Sequence, residues 1–324
     1  MQLVFTQSTD PAFNLGLEEY LLRETDDSYL ILWRDEPSII VGRHQLTSKE
    51  LNHEYVFQHL IPVVRRISGG GTVFHDHGNL NYTFIDNVSE NREIDYNRFC
   101  QPIIETLRKL GVQAELTGKS DICIGDAKIS GTAIYMHRNR IMHHGTLLFD
   151  SDLDILRLVL RAPYLRYTSR AIDSRRMHVT NISQHMQRKM SFEEFFANMA
   201  SELKTRFQTE VWTPTPESMK AAFELKENRY TNPEWTFGQN PNGVYEYRHN
   251  LGFINARCHL SLQKGVIDAA GIYIEGNPEA STKLETLIQG EYHDYERIRD
   301  KLLSFDFLKE LENVTIKDVL QLLF

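Results

Sequence analysis

Three consecutive glycines lie between two arginines and a strand-like run in RRISGGGTVFHDHGN, residues 65–79. Glycines let a ligand approach the backbone closely, and they adopt positive φ angles at low steric cost. The guanidinium of Arg65 or Arg66 offers a planar fork for an oxyanion. The pattern therefore predicts a phosphate-binding loop, although it is not G-x-G-x-x-G opening a helix. Nor is G-x-x-x-x-G-K-[ST] present, because the GKS at 118–120 has Gln113 where that motif needs glycine.

Lys128 lies in the strand-like part of GKSDICIGDAKISGTA, residues 118–133, ahead of the small residues Ser130 and Gly131. A lone strand lysine is most often a solvated residue. However, a compact and mobile ammonium can also stabilise a phosphate or another anion. Asp121 could hold Lys128, bind a ribose or cap a turn, and the pattern is compatible with all three roles.

Histidines occur as His75 with His77 and as His143 with His144, which together could supply four zinc ligands. Adjacent strand residues point to opposite faces of a sheet, so His143 and His144 do not suit one metal ion. Nothing else has the spacing of a metal site. We therefore predict no metal site in the protein, and we expect His75 to line a pocket or to make a local hydrogen bond.

The elements that carry these residues alternate between strands and helices without regular βαβ spacing, which predicts a mixed α+β fold. Hydrophobic periodicity predicts helices over 14–24, 48–60, 98–111, 191–208, 281–290 and 294–304. Strands are predicted in 29–35, 38–44, 61–68, 71–85, 114–118, 121–133, 143–150 and 244–275. Turn-forming residues between 213 and 243 predict a hinge. Residues 1–243 would then form a larger domain that carries both motifs, and residues 244–324 a small α+β domain.

Composition limits the class of partner. The net charge of −8 argues against general nucleic-acid binding, whereas local basic clusters at 65–66, 137–140 and 174–178 suit a small anionic ligand. No apolar stretch approaches the ~18 residues of a membrane span, and the amino terminus lacks signal-peptide features. The three cysteines are far apart and odd in number, which suits reduced thiols. We expect a cytoplasmic protein with no nucleic-acid or membrane partner.

The two motifs closely resemble those of the lipoate–protein ligase A family, within the larger biotin/lipoate ligase fold. The first reads RR-x-SGGG-x-V-[FY]-H-D-x-GN-x-N and the second D-I-x-x-x-x-x-K-I-S-G-x-A, and both are long. HHGTLLFD at 143–150 and NPEWTFGQNP at 232–241 extend the similarity through most of the first ~245 residues. The remaining tail has the size of that family's accessory domain, although IYIEGNPEAST at 272–282 matches its pattern poorly.

The resemblance implies a two-step reaction in which lipoate and ATP, bound with Mg²⁺, give lipoyl-adenylate and pyrophosphate. The lipoyl group then passes to a lysine on a lipoyl domain of a 2-oxoacid dehydrogenase complex or on the glycine-cleavage H protein. The resemblance makes Lys128 the catalytic residue. It also implies that the nucleotide is bound by Arg66, Gly70, Gly71, Thr72, Val73, Phe74, His75, Asp121 and Lys128.

Two alternatives are compatible with the same motifs. The first is an ATP-independent octanoyl or lipoyl transferase of the same fold, which would use a cysteine thioester or an attacking lysine. Cys123 lies five residues before Lys128, but a buried strand cysteine is usually an inert small hydrophobe. The second is a binding module without activity, against which intact Arg66 and Lys128 count.

Overall fold

The computed structural model describes residues 1–88, 94–160, 166–174, 177–304, 311 and 314–324. Its helices are α1 (Pro11–Glu24), α2 (Thr47–Glu50), α3 (His53–Gln58), α4 (Tyr96–Lys109), α5 (Leu153–Val159), α6 (Phe192–Phe207), α7 (Pro216–Leu225), α8 (Pro233–Thr236), α9 (Pro278–Ile288), α10 (Tyr295–Ser304) and α11 (Ile316–Leu323). Its strands are β1 (Gln2–Phe5), β2 (Tyr29–Trp33), β3 (Ser38–Val41), β4 (Val63–Arg65), β5 (Val73–His75), β6 (Asn79–Asn87), β7 (Glu115–Thr117), β8 (Asp121–Ile124), β9 (Ala127–Ser130), β10 (Thr132–His137), β11 (Arg140–Leu148), β12 (Tyr167–Ser169), β13 (Val211–Trp212), β14 (Gly243–Leu251), β15 (Ile254–Gln263) and β16 (Val266–Ile274).

Three predicted elements differ from the structure for local reasons. The predicted helix over 48–60 is two helices, α2 and α3, because Asn52 caps α3 by accepting a hydrogen bond from the Tyr55 amide. The predicted strand over 71–85 is broken between β5 and β6, where Asp76 accepts from the Gly78 amide in a turn. The predicted hinge over 213–243 contains α7, since Pro216 occupies the first position of that helix. Helices α5 and α11 and strands β1, β12 and β13 were not predicted.

The first of two compact units comprises residues 1–42, 64–156 and 175–231. Its six-stranded sheet has the order β10-β11-β6-β2-β1-β13, in which β1 runs parallel to β2 and β13 and the other pairs are antiparallel. One face packs on α4 and α6 through a buried apolar cluster. Helix α1 lies against β6 and β11. Two three-stranded sheets, β4-β3-β5 and β7-β8-β9, carry the two predicted motifs.

The second unit comprises residues 43–63, 157–174 and 232–324 and has its own apolar core. Its sheet has the order β12-β14-β15-β16 and is antiparallel throughout. Side chains of α9 protect the edge strand β16, because Glu285 accepts from the Ile272 amide at 2.6 Å and Ser281 from the Ile274 amide at 2.9 Å. The predicted domain boundary at residues 243–244 stays a prediction.

All three cysteines, Cys100, Cys123 and Cys258, are buried free thiols, as the sequence predicted. Within the described ranges, no helix is long and apolar enough to span a lipid bilayer.

Candidate active site

The glycine loop, residues 68–72, is folded around the guanidinium of Arg66. Arg66 Nη2 donates to the carbonyl oxygens of Gly69 at 2.6 Å and Gly71 at 2.8 Å. In a trans peptide the N–H points opposite to the C=O, so the amides of Gly70 and Thr72 are directed away from Arg66. A backbone amide turned outward in this way can donate to an anion. The loop is therefore suited to binding a phosphate through its backbone.

Only glycine fits the centre of this loop. Gly70 has a φ of +89°, and a Cβ added there would lie 2.9 Å from Arg66 Nη2. A side chain at this position would be strained and would also displace the guanidinium. The sequence predicted Gly70 for its backbone freedom, and the structure adds the close approach to Arg66.

The structure places Arg66 inside the chain. Its guanidinium also donates to Ser68 Oγ at 3.0 Å and to the carbonyl oxygen of Ile40 at 3.1 Å. Burial lowers the pKa of Arg66 to about 10, and the nearby Glu18 opposes this effect. Arg66 thus shapes the glycine loop, while its predicted direct contact with a phosphate stays a prediction.

Lys128 lies in the middle of the short strand β9, where β8 and β9 form a hairpin. Its backbone is also hydrogen-bonded to a segment outside this hairpin. The Lys128 amide donates to the carbonyl of His178 at 2.9 Å, and the Lys128 carbonyl accepts from the Thr180 amide at 3.1 Å. Its Nζ lies 2.7 Å from Oδ1 of Asp121, and the two side chains are 23% and 20% exposed. Of the three roles predicted for Asp121, the structure contains the ion pair with Lys128.

Gly131 lies directly beside the Lys128 ammonium. A Cβ at Gly131 would be 3.2 Å from both Cε and Nζ of Lys128. Two residues further on, Ala133 approaches the glycine loop, because a Cβ at Gly70 would lie 3.8 Å from the Cβ of Ala133. The structure thus brings the two predicted motifs together at the start of β10.

Strand β5 continues the glycine loop with Val73, Phe74 and His75, of which Phe74 and His75 are buried. His75 Nδ1 lies 2.7 Å from Oδ2 of Asp35, whose Oδ1 accepts from Asn14 Nδ2 at 2.8 Å. Burial raises the pKa of the Asp35 carboxyl, and the hydrogen bond and charge of His75 oppose that rise. Thr72, between the glycines and the strand, is also buried.

The two histidines of HHGTLLFD face opposite sides of β11, as predicted. The His143 ring stacks on Phe99 at 5.0 Å, and burial lowers the pKa of His143 to about 3. His144 instead hydrogen-bonds to Ser68 of the glycine loop and to Glu18 of α1. Among the residues that the structure describes, no group of three His, Cys, Asp or Glu side chains could hold a metal ion.

Sequence reasoning missed four polar residues near the predicted site: Glu18, Ser68, His144 and Asp35. Glu18 lies within the predicted helix over 14–24, and Asp35 at the end of the predicted strand over 29–35. The one available signal was the presence of Glu18 on a helix rich in buried leucines, since carboxylates are rarely buried without a partner. Two residues of the basic stretch 174–178, at 175 and 176, lie outside the described residues.

Comparison with known proteins identifies the family. The model of the lipoyl protein ligase A/B catalytic domain matches residues 10–204. The chain is 36% identical over 321 residues to lipoate–protein ligase 1 of Staphylococcus aureus (strain Mu50), with 97% of each chain covered. It is 35% identical over 327 residues to lipoate–protein ligase LplJ of Bacillus subtilis (strain 168), again with 97% of each covered.

A solved structure agrees with these matches. The crystal structure of a lipoate–protein ligase A bound with ATP superposes with a TM-score of 0.61 at 25% identity, covering 72% of this chain and 97% of that chain. The predicted fold class and the predicted class of enzyme are both confirmed. The chain belongs to the lipoate–protein ligase family.

Proposed function

We propose that this protein activates lipoate with ATP to form lipoyl-AMP and pyrophosphate, and then transfers the lipoyl group to a lysine of an acceptor domain. The observation that carries this proposal is the position of the Lys128 ammonium. It is partly exposed, is paired with Asp121 and lies at the same end of β10 as an anion-binding loop. The names of the two relatives, both lipoate–protein ligases, support the same activity.

In the first step a carboxylate oxygen of lipoate attacks the α-phosphorus of ATP, and the bond to the departing pyrophosphate breaks. Two anions must approach each other, so fixed cations and backbone donors lower the barrier. The amides of the glycine loop supply donors, and Lys128 supplies a mobile cation. An anion at the loop also favours the charged form of the buried Arg66, whose pKa is lowered by burial.

In the second step the neutral amine of the acceptor lysine attacks the acyl carbon, and AMP leaves as the C–O bond of the anhydride breaks. The adenylate is already a good leaving group, so positioning matters more than an enzyme nucleophile. Lys128 can bridge the phosphate and the acyl carbonyl in this step, because Gly131 leaves space beside its ammonium.

The nucleotide is proposed to bind as its magnesium complex. Mg²⁺ usually keeps several waters and binds through one or two carboxylates and substrate phosphates. Asp121 is engaged by Lys128 and Asp35 by His75, so these carboxylates do not form a metal site made of protein ligands alone. They are compatible with a magnesium ion that is bound mainly by the nucleotide phosphates. The metal would screen phosphate charge, and the protein would hold it mainly through the nucleotide.

The proposed acceptors are lipoyl domains of 2-oxoacid dehydrogenase complexes and the glycine-cleavage H protein. A cytoplasmic location is proposed with them, and the three free thiols support it. We expect no nucleic-acid or membrane partner. The nucleotide-binding set is proposed as predicted, namely Arg66, Gly70, Gly71, Thr72, Val73, Phe74, His75, Asp121 and Lys128.

Pyrophosphate release in the presence of lipoate and Mg-ATP tests the first half-reaction. Intact mass of purified acceptor domains, measured after incubation with the enzyme, tests the second. Pyrophosphate release that needs lipoate, with a matching mass increase on an acceptor, is the expected result. Transfer of a lipoyl or octanoyl group from a donor protein to the acceptor without ATP would instead support the transferase.

A cysteine-based transferase has little support from the site. Cys123 is 1% exposed, and Cys100 is fully buried. Burial raises the pKa of the Cys100 thiol to about 12, so it does not ionise near neutral pH. A buried, protonated thiol is a poor nucleophile.

A further inference from the structure

A continuous line of buried polar side chains supports the glycine loop from behind. Arg66 Nε donates to Ser68 Oγ at 3.0 Å, and Ser68 Oγ lies 2.6 Å from His144 Nε2. On the other side of the ring, His144 Nδ1 lies 3.1 and 3.3 Å from the two carboxylate oxygens of Glu18. The line therefore joins the loop, strand β11 and helix α1.

The line continues from Glu18 to the centre of the six-stranded sheet. Thr83 Oγ1 hydrogen-bonds to Glu18 Oε1, and Trp33 Nε1 donates to Thr83 Oγ1 at 2.9 Å. None of these side chains is more than slightly exposed: Ser68 and Thr83 are 0%, Glu18 2%, Trp33 3% and His144 7% exposed. Buried polar groups that satisfy one another in this way hold a single arrangement.

The carboxylate of Glu18 and the donors at the two ends determine the directions of the hydrogen bonds. A carboxylate only accepts, so His144 Nδ1 carries a proton and donates it to Glu18. Nε2 of the neutral ring then carries a lone pair and accepts from Ser68 Oγ, while Ser68 Oγ accepts from Arg66 Nε. A guanidinium and an indole N–H can only donate. At the other end Thr83 accepts from Trp33 and donates to Glu18.

The order serine, histidine, carboxylate is also that of an acyl-transferring triad. Ser68 is not placed for that role, because its side chain has no exposed surface and its oxygen accepts the hydrogen bond from Arg66. The geometry is therefore suited to holding a neighbour in place and not to attacking a substrate.

We propose that Glu18, His144 and Ser68 are positioning residues for the glycine loop. They hold Arg66 through its Nε, and Arg66 in turn holds the carbonyls of Gly69 and Gly71. The loop amides are therefore oriented before ATP binds. The link to ATP rests on the proposed function. The claim that the three residues order the loop concerns the free protein alone.

The test uses the full chain and the variants Glu18→Gln and Ser68→Ala. Thr83→Val is the matched control. It removes a hydrogen bond to Glu18 but leaves in place the hydrogen bonds that join His144, Ser68 and Arg66. Melting temperatures identify variants that fail to fold. If Ser68→Ala does not fold, Ser68→Thr and Ser68→Cys replace it, since the first keeps the hydroxyl and the second substitutes a weak donor.

The first measurement needs no substrate. Side-chain ¹⁵N spectra of histidine-labelled protein should show His144 with its proton on Nδ1. Hydrogen exchange of the amides in residues 68–72 should be on the order of 10-fold faster in Ser68→Ala and Glu18→Gln than in wild type, and unchanged in Thr83→Val. A wild-type His144 protonated on Nε2 alone, or equal exchange in all four proteins, would overturn the proposal.

The second measurement follows the reaction. Loss of the partner that orients a metal ligand commonly costs about 10- to 100-fold, and we expect an effect at the lower end of this range for the partners of Arg66. We expect the KM for ATP to rise by about 10-fold in Ser68→Ala and Glu18→Gln, with the KM for lipoate within about twofold of wild type. Equal rises for both substrates would contradict a role at the glycine loop. If the wild-type enzyme releases no pyrophosphate, the proposed function fails, while the exchange and ¹⁵N results still decide this inference.

Discussion

The ammonium nitrogen of Lys128 lies 2.7 Å from Oδ1 of Asp121, and both side chains remain partly open, at 23% and 20% exposure. The pair holds the ammonium at one point and leaves part of its surface available to a ligand. An arginine could make the same ion pair, but its bulkier planar group could not occupy the same point.

Lys128→Ala should be nearly inactive in both half-reactions. Removing one contact that stabilises developing charge typically costs on the order of 10²–10³ in rate. Lys128→Arg should rescue little of this loss. Single-turnover kinetics of pyrophosphate release, and of transfer from supplied lipoyl-adenylate, measure the two steps separately.

Lys119→Ala is the matched control, because Lys119 is exposed in the turn before the same hairpin. It should keep wild-type rates. Wild-type adenylation by Lys128→Ala would show that the central assignment is wrong.

Asp121→Asn should lower the rate of pyrophosphate release by about 10-fold, since Lys128 loses the carboxylate that orients it. Asp126→Asn, an exposed residue at the turn between β8 and β9, is the control. If both variants react at the same rate, Asp121 does not orient Lys128.

Gly131→Ala should impair catalysis while the fold stays intact. The added methyl would lie 3.2 Å from Lys128 Nζ, which is tighter than an ordinary contact, so the ammonium would have to shift by a few tenths of an ångström. Gly271→Ala is the control, since its new Cβ would meet only a backbone oxygen at 3.8 Å. Pyrophosphate release and thermal melting are measured for both glycine variants, and only Gly131→Ala should lose activity. Full activity of a folded Gly131→Ala protein would contradict a role for the space beside the Lys128 ammonium.

Gly70→Ala should weaken ATP binding. A non-glycine residue at positive φ costs about 1–2 kcal/mol, and here the methyl would also approach Arg66 Nη2 to 2.9 Å. Gly111→Ala has the same backbone cost at a φ of +86° but meets nothing within 4 Å.

Calorimetric titration with ATP distinguishes these two glycine variants. We expect Gly70→Ala to lose at least as much stability as Gly111→Ala, and only Gly70→Ala to lose affinity. Equal ATP affinity in the two folded variants would mean that the glycine loop is a turn without a role in binding.

Cys123→Ala should retain most of the ligase activity, because neither half-reaction needs a thiolate and the thiol is 1% exposed. Mass spectra of the enzyme incubated with lipoate and ATP should show no acyl-thioester. A trapped thioester that disappears in Cys123→Ala would support the transferase in place of the ligase.

Much of the site could be predicted because each motif is contiguous in the chain. Residues 65–79 and 118–133 hold the glycine loop and the Asp121–Lys128 pair, and short separations of this kind are visible in the order of residues alone. The predicted strand over 121–133 is divided by a hairpin turn at Gly125 and Asp126, where Gly125 has a φ of +59°. Boundaries were less well predicted, since a cap such as Asn52 or a helix start such as Pro216 divides or adds an element without changing the hydrophobic pattern.

The sequence by itself determined the family, the α+β class and the two motifs, because these depend on residue types at fixed short spacings. Only the tertiary structure decided which way the polar groups point. Arg66 faces the carbonyls of its own loop, and Glu18 reaches His144 across 126 positions of the chain. Such contacts depend on the pairing of β6 with β11 and on the packing of α1 against both, because a shift of one residue in strand register would turn His144 to the opposite face of the sheet.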